Sequence, residues 1–214
     1  MAIARVSGQT PTSAGGGGIT SIQVTLPQNV VAGNAMMGVG KSRGGGTTTF
    51  GDNLGNTWAV DVSNTTDSNN NLAIGSCKSI STGGSCTITF STTASANTMG
   101  LSIMEYSGFT GGAALDKTNS ATGYGSPASS GSTATTADAD ELLIGGLTTA
   151  GSATSVVWTS SFSELTAYNS SGRHGAGDRI VTATGAYAAT TTFTAGDERC
   201  MAIATYKMVG GGGG

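Results

Sequence analysis

The only histidine, His174, stands in Ser-Gly-Arg-His-Gly-Ala-Gly-Asp178, and it is the one side chain here that titrates near neutrality without a perturbing environment. A Ser-His-Asp triad is assembled in space, so spacing leaves one open. Its usual frame is missing, because no G-x-S-x-G turn leads from a strand into a helix. The Gly/Ser composition around His174 reads as a loop, and a solvated loop histidine is the expectation. The carboxylates Asp138, Asp140, Glu141, Glu105, Glu164, Asp197 and Glu198 include enough acids for the pair that glycoside hydrolysis needs. Most fall where loops and strand edges are expected, so they read as charges that keep the surface soluble.

Asp52, Asn53 and Asn56, and separately Asp67 with Asn69 to Asn71, offer the oxygen ligands that calcium prefers. Neither run has calcium-loop spacing, and Asx side chains also stabilise turns by bonding nearby backbone. Trp58 and Trp158 raise the question of a sugar-stacking platform, but each lies in an apolar strand context that assigns it to a core. The sequons at Asn64 and Asn169 are expected by chance in so Ser- and Thr-rich a chain. The expectation is therefore no catalytic residue, no metal site and no cofactor, with the binding residues undefined.

Three cysteines cannot all pair within one chain. Cys77 and Cys86 flank a stretch that reads as a hairpin through residues 74–90, and three registers compete. A Ser81-Thr82 loop sets the cysteines opposite one another, and a Gly83-Gly84 turn sets Cys77 against Phe90. A Thr82-Gly83-Gly84 loop puts Leu72, Ile74 and Ile80 on one face with Cys86, Ile88 and Phe90. The last buries most apolar surface and favours free thiols, since register follows burial.

The elements behind these residues follow from composition. Glycine supplies 36 of 214 residues, only 10% are charged, and good helix formers are scarce, so the chain is all-β. Disorder usually couples low hydrophobicity to high net charge, whereas the formal charge here is only -3. Nine Lys and Arg, scattered along the chain, form no phosphate-binding stripe, and no apolar run is long enough to span a bilayer. Neither nucleic acid nor membrane is expected as a partner.

Strand-like segments recur throughout, near 2–7, 21–26, 35–39, 57–62, 72–80, 86–91, 99–106, 142–148, 155–158, 163–168, 179–183, 190–194 and 201–208. The last has no polar face and reads as buried on both sides. Two halves, about 22–108 and 129–208, share an order of motifs: a Gly-rich strand, a strand through Trp58 or Trp158, a hairpin (residues 179–193 in the second half), and a closing strand ending Glu-Tyr106 or Thr-Tyr206. Residues 107–139 read as a Gly/Ser/Thr/Ala linker. The expected architecture is a single domain over 1–209, a jelly-roll-like or Ig-like antiparallel β-sandwich of two pseudo-repeated halves packed face to face. The Gly210–Gly214 tail reads as flexible.

Glu-Tyr-Ser-Gly-Phe-Thr-Gly-Gly-Ala-Ala-Leu-Asp-Lys-Thr-Asn-Ser-Ala-Thr-Gly123, Ala-Asp-Glu-Leu-Leu-Ile-Gly-Gly146, Asp-Arg-Ile-Val-Thr-Ala-Thr-Gly-Ala-Tyr187 and Asp-Asn-Leu-Gly-Asn-Thr-Trp58 together resemble a Gly/Thr-rich β-sandwich module of bacterial surface proteins and structural proteins of tailed bacteriophages. The resemblance runs from about Val24 to Tyr206 and implies fold more than function. A surface rich in Thr, Ser, Asn and Gly suits an outside environment, yet the N-terminus carries no export signal. Either a signal has been removed or the chain folds in the cytosol. A virion protein reconciles the two, since it folds in the host cytoplasm with reduced thiols and leaves by lysis. The expectation is a non-enzymatic capsid decoration (cement) protein or fibre or tail module, with the major capsid protein or tail and copies of itself as partners and a cell-surface glycan as a further one. The alternative is a secreted adhesin or carbohydrate-binding module at the cell surface.

Overall fold

Alternating apolar and hydroxyl-bearing residues set these segments extended, and the β-branched Val, Ile and Thr favour the pleated sheet. The structure, a computed structural model, describes residues 2–9, 12–151, 153–169, 173–194 and 197–209; the side chains of 12–16 and 166–169 and the expected flexible tail lie outside that description. Among the described residues all regular structure is β, in seventeen strands. The first half carries β1 (Ala4–Arg5), β2 (Thr12–Gly16), β3 (Ile19–Thr25), β4 (Ala35–Arg43), β5 (Thr48–Asp52), β6 (Ala59–Thr65), β7 (Asn70–Cys77), β8 (Thr87–Ala96) and β9 (Thr98–Ser107). The second carries β10 (Ala113–Tyr124), β11 (Ala128–Ser129), β12 (Asp140–Thr149), β13 (Thr154–Thr159), β14 (Ser163–Asn169), β15 (His174–Thr182), β16 (Thr190–Thr194) and β17 (Glu198–Met208).

These strands form four antiparallel sheets. The larger two run β1-β9-β4-β7-β6, with β2 also on β9, and β10-β17-β12-β15-β14; the smaller two run β3-β8-β5 and β11-β16-β13. The larger sheets face one another across a central core that includes Met37, Val39, Leu72, Ile74, Leu142, Ile144, Ala202 and Ala204. Each has a second apolar face, covered by one small sheet. Phe90, Ile88 and Val24 pack on the first, and Trp158, Phe162 and Phe193 on the second. The protein is thus an antiparallel β-sandwich in four layers, with β4, β7, β9, β12 and β17 buried on both faces.

Glycine makes that burial possible. An added Cβ at Gly38 or Gly75 would lie 2.8 or 2.5 Å from the Phe50 ring, and one at Gly145 or Gly177 would lie 2.7 or 2.6 Å from the Trp158 indole. The inner strands are glycine-rich because aromatic rings of the outer sheets rest directly on their backbone.

The structure corrects three expectations. Residues 107–139 are no bare linker: β10 pairs along its length with β17, so small alternating residues at a sheet edge form a twelve-residue strand. There is no hairpin at 74–90, because β7 pairs with β4 and β6 while β8 pairs with β3 and β5. Leu72 and Ile74 therefore point into the central core, away from Ile80, Cys86, Ile88 and Phe90. The stretch 179–193 likewise crosses between sheets, from β15 to β16. Strands that are apolar on both faces supply no burial argument for a single register, and this misled the hairpin reading.

Candidate functional site

The polar chemistry of the molecule gathers where the two large sheets meet. Tyr106, at the end of β9, donates its hydroxyl to Asp178 Oδ2 of β15 at 2.7 Å. Arg5 grips the same carboxylate from β1, through Nε at 2.8 Å and Nη2 at 2.5 Å. Tyr206, at the end of β17, donates to Asp61 Oδ2 of β6 at 2.8 Å; that carboxylate also accepts Ser76 Oγ at 2.5 Å and faces Lys78 Nζ at 3.2 Å. Each closing strand thus lends a buried tyrosine to a carboxylate of the other half. Burial foremost, with the adjacent carboxylate second, drives both phenols well above their usual pKa, so both remain hydroxyl donors.

Elsewhere in the same interface lie two buried nitrogen bases, His174 and Lys41. His174 opens β15 fully buried, with Nε2 3.0 Å from Ser102 Oγ, and a Cβ at Gly100 would run into its ring. Burial, reinforced by Lys41, lowers the imidazole to about 4, so it is neutral. Lys41 is also buried, donates to Thr98 Oγ1, and is lowered to about 7 by burial and then by Arg173 and Arg43. The expected solvated loop histidine is corrected: the Gly-rich run around His174 continues into β15, and its small residues admit the ring between the sheets. Both members of this Ser-His pair are buried, Ser102 at 3% exposure and His174 at 0%.

Three carboxylates read as surface charges, Glu105, Glu141 and Glu198, are buried as well, and Glu198 accepts Ser68 N at 3.1 Å. Glu105 accepts Gln9 Nε2 at 2.9 Å, Val31 N at 2.9 Å and Asn34 Nδ2 at 2.6 Å, pinning the N-terminal segment and the turn after β3 to β9. Glu141 sits beside Asp116, and burial, with Asp116 adding to it, pushes its carboxyl up to about 7. Asp116 accepts Ala137 N at 2.7 Å and Glu141 accepts Asp138 N at 3.2 Å, which fastens residues 137–138 across the second large sheet. Glu105 thus takes one backbone N–H and two side-chain amides, and Glu141 Oε1 takes a backbone N–H, uses that loop-or-edge placement did not suggest.

Asp52 accepts Leu54 N and Asn56 N through Oδ1 and Trp58 Nε1 through Oδ2, at 2.8–3.1 Å, while Asn56 Oδ1 takes Ser81 N and Thr82 N. These are turn bonds, and among the described residues no group of three or more His, Cys, Asp or Glu is placed to hold a metal. Cys77, Cys86 and Cys200 are free and buried, and burial pushes their thiols up to about 11, 12 and 12. Trp158 stacks on Phe162 inside one core. Trp58 stacks on Phe50 (5.7 Å, 17°) at the margin of another, so the two indoles form no shared platform.

No known protein family, curated protein or solved structure matches the chain. Sequence reasoning passed over Arg5, Lys41, Asp61, Tyr106 and Tyr206. The available signal was the tyrosine that ends both closing strands, Glu-Tyr106 and Thr-Tyr206.

Proposed function

We propose that the chain is a non-enzymatic structural module of a virion, an outer capsid decoration or cement protein or a fibre or tail module of a bacteriophage. The observation that carries this reading is how the reactive side chains are spent. Tyr106, Tyr206, His174, Lys41, Glu105 and Glu141 are buried; the two tyrosines and His174 tie sheet to sheet, Glu105 and Glu141 tie loops to sheets, and Lys41 bonds within its own sheet. A part built into a particle needs such internal locking. Its outer sheets suit the outside of a particle too, since the outer face of β8 carries Thr87 and Thr89 hydrogen-bonded to Thr25 and Gln23 of β3. We read the matched strand orders as two copies of one unit, which lets one chain present similar surfaces twice.

On this reading its partners are the major capsid protein or tail and further copies of itself, with neither nucleic acid nor membrane involved, and it assembles in the host cytoplasm. Electron microscopy of particles carrying the gene tests it. Stoichiometric density attributable to this chain is expected, and its absence from every virion or filament preparation overturns the reading in favour of a secreted surface adhesin or carbohydrate-binding module.

A further inference from the structure

Two surface clefts occupy the same place in the two halves. Strand register makes the match: Ala59 pairs with Ser76 where β6 meets β7, and Ser163 pairs with Asp178 where β14 meets β15, each followed by a one-residue bulge. The aromatic stack beside each cleft matches too, with Trp and Phe exchanged: Phe50 on Trp58 in one half, Trp158 on Phe162 in the other. One cleft, of about 340 Å³, is lined by Trp58, Lys78, Thr57, Ser79 and the buried Ser76, whose hydroxyl is held by Asp61. The other, of about 440 Å³, is lined by Arg179, Ser161, Ser163, the exposed Ile180 and the Arg5–Asp178 ion pair.

Their chemistry points one way. Trp58 is half-buried and cannot turn, since one face lies on Phe50 and its indole N–H is held by Asp52 at 2.8 Å; its ring is a rigid apolar wall. Lys78 beside it keeps a side chain 39% exposed although it pairs with Asp61. In the second cleft Arg179 is steadied by the Ser160 carbonyl at 3.0 Å and by the Tyr187 ring at 5.2 Å. No carboxylate pairs with it among the described residues, so its charge is unspent. On a molecule of formal charge -3, each cleft presents one cation, Lys78 or Arg179, beside hydroxyls, while the acids next to them, Asp61 and Asp178, have buried side chains and are already held in ion pairs. We propose that they bind sugar units bearing a carboxylate, the acid meeting Lys78 or Arg179, the hydroxyls meeting Thr57 and Ser79 or Ser161 and Ser163, and the C–H face of the sugar lying on Trp58 or Ile180. The proposal does not depend on the virion reading.

Calorimetric titration of the full chain with an oligogalacturonate, and with its methyl ester of equal length, tests this directly. The acid form is expected to bind and to change the emission of Trp58, Trp158 being buried against Phe162. The ester, which keeps every hydroxyl, is expected to bind about tenfold more weakly or not at all. Lys78→Gln and Arg179→Gln are each expected to remove one class of site, and Lys117→Gln, which lines neither cleft, to leave binding as it was. Equal binding of acid and ester, no binding of the acid at millimolar concentration, or unaltered binding by both cleft variants overturns the proposal. The acid-ester comparison uses the unmutated chain, so it stands whatever the variants do to folding.

Discussion

His174 and Glu141 are both buried, and they pull the pH dependence of stability in opposite directions. The imidazole is lowered from 6.5 to about 4, so the stability that rests on its neutral form is present above 6.5 and lost as pH falls toward 4. The carboxyl is raised from 4.5 to about 7, so its contribution is present below 4.5 and lost as pH rises through 7. Between 4.5 and 6.5 the two slopes oppose one another, each bounded by about 1.4 kcal/mol per pH unit for one proton. Urea denaturation across that window is expected to show stability falling with rising pH in His174→Asn and rising with pH in Glu141→Gln. Variants whose slopes match the parent would show that these groups are not perturbed as described. The thiols give a second residue-scale outcome: with Cys77, Cys86 and Cys200 buried and pushed up to about 11–12, alkylation at pH 8 is expected to fail on the folded protein. After denaturation without reductant all three cysteines are expected to react, and a count of one would establish a bridge.

At the scale of the strand, the glycines that carry aromatic rings are the positions where one methyl group matters. Gly75→Ala and Gly177→Ala push a Cβ within 2.5 and 2.6 Å of the rings of Phe50 and Trp158, so each ring must shift to admit the methyl group. Each is expected to cost about 1–3 kcal/mol in chemical denaturation. Gly51→Ala in β5 meets nothing within 4 Å and is expected to be neutral or mildly stabilising, through the entropy of the unfolded chain. Equal effects at all three would show that the ring contacts do not limit packing. The same strands show what could be read from sequence. β16 was legible residue for residue, and β3 nearly so, because alternation marks a strand with one dry face. The partners of β7 and β8 were not legible: Leu72 and Ala73 are both wholly buried, and a strand dry on both sides fits several neighbours equally. β10 was hidden because Asp-Lys-Thr-Asn-Ser-Ala-Thr-Gly at a sheet edge reads like a linker until β17 is there to pair with it. His174 and Glu141 were misplaced for a related reason, since local composition says nothing of what another sheet brings on top of them.

At the scale of the whole molecule, four layers make each half incomplete. Each small sheet completes a core with its own large sheet, but the inner face of that large sheet, with Met37, Val39, Leu72, Ile74 and Met104 in the first half and Leu142, Ile144, Ala202 and Ala204 in the second, is covered only by the other half. Exposed apolar areas of that kind are rarely left open on a soluble monomer, and their burial drives association. The crossed tyrosine-carboxylate bonds add direction, because Tyr106 and Arg5 find Asp178 only when the halves are docked, and Tyr206 finds Asp61 on the same condition. The covalent link between halves, through the turn at 108–112, is then dispensable once docking has occurred. A protease site inserted after Gly111 and cleaved in the folded protein is expected to leave one species on size-exclusion chromatography with light scattering, falling apart only on denaturation. Residues 1–110 expressed alone are expected to aggregate or to pair with a second copy through the bare face. A soluble, folded monomer of that fragment would mean that the central core is an ordinary domain interface and that each half is complete without the other.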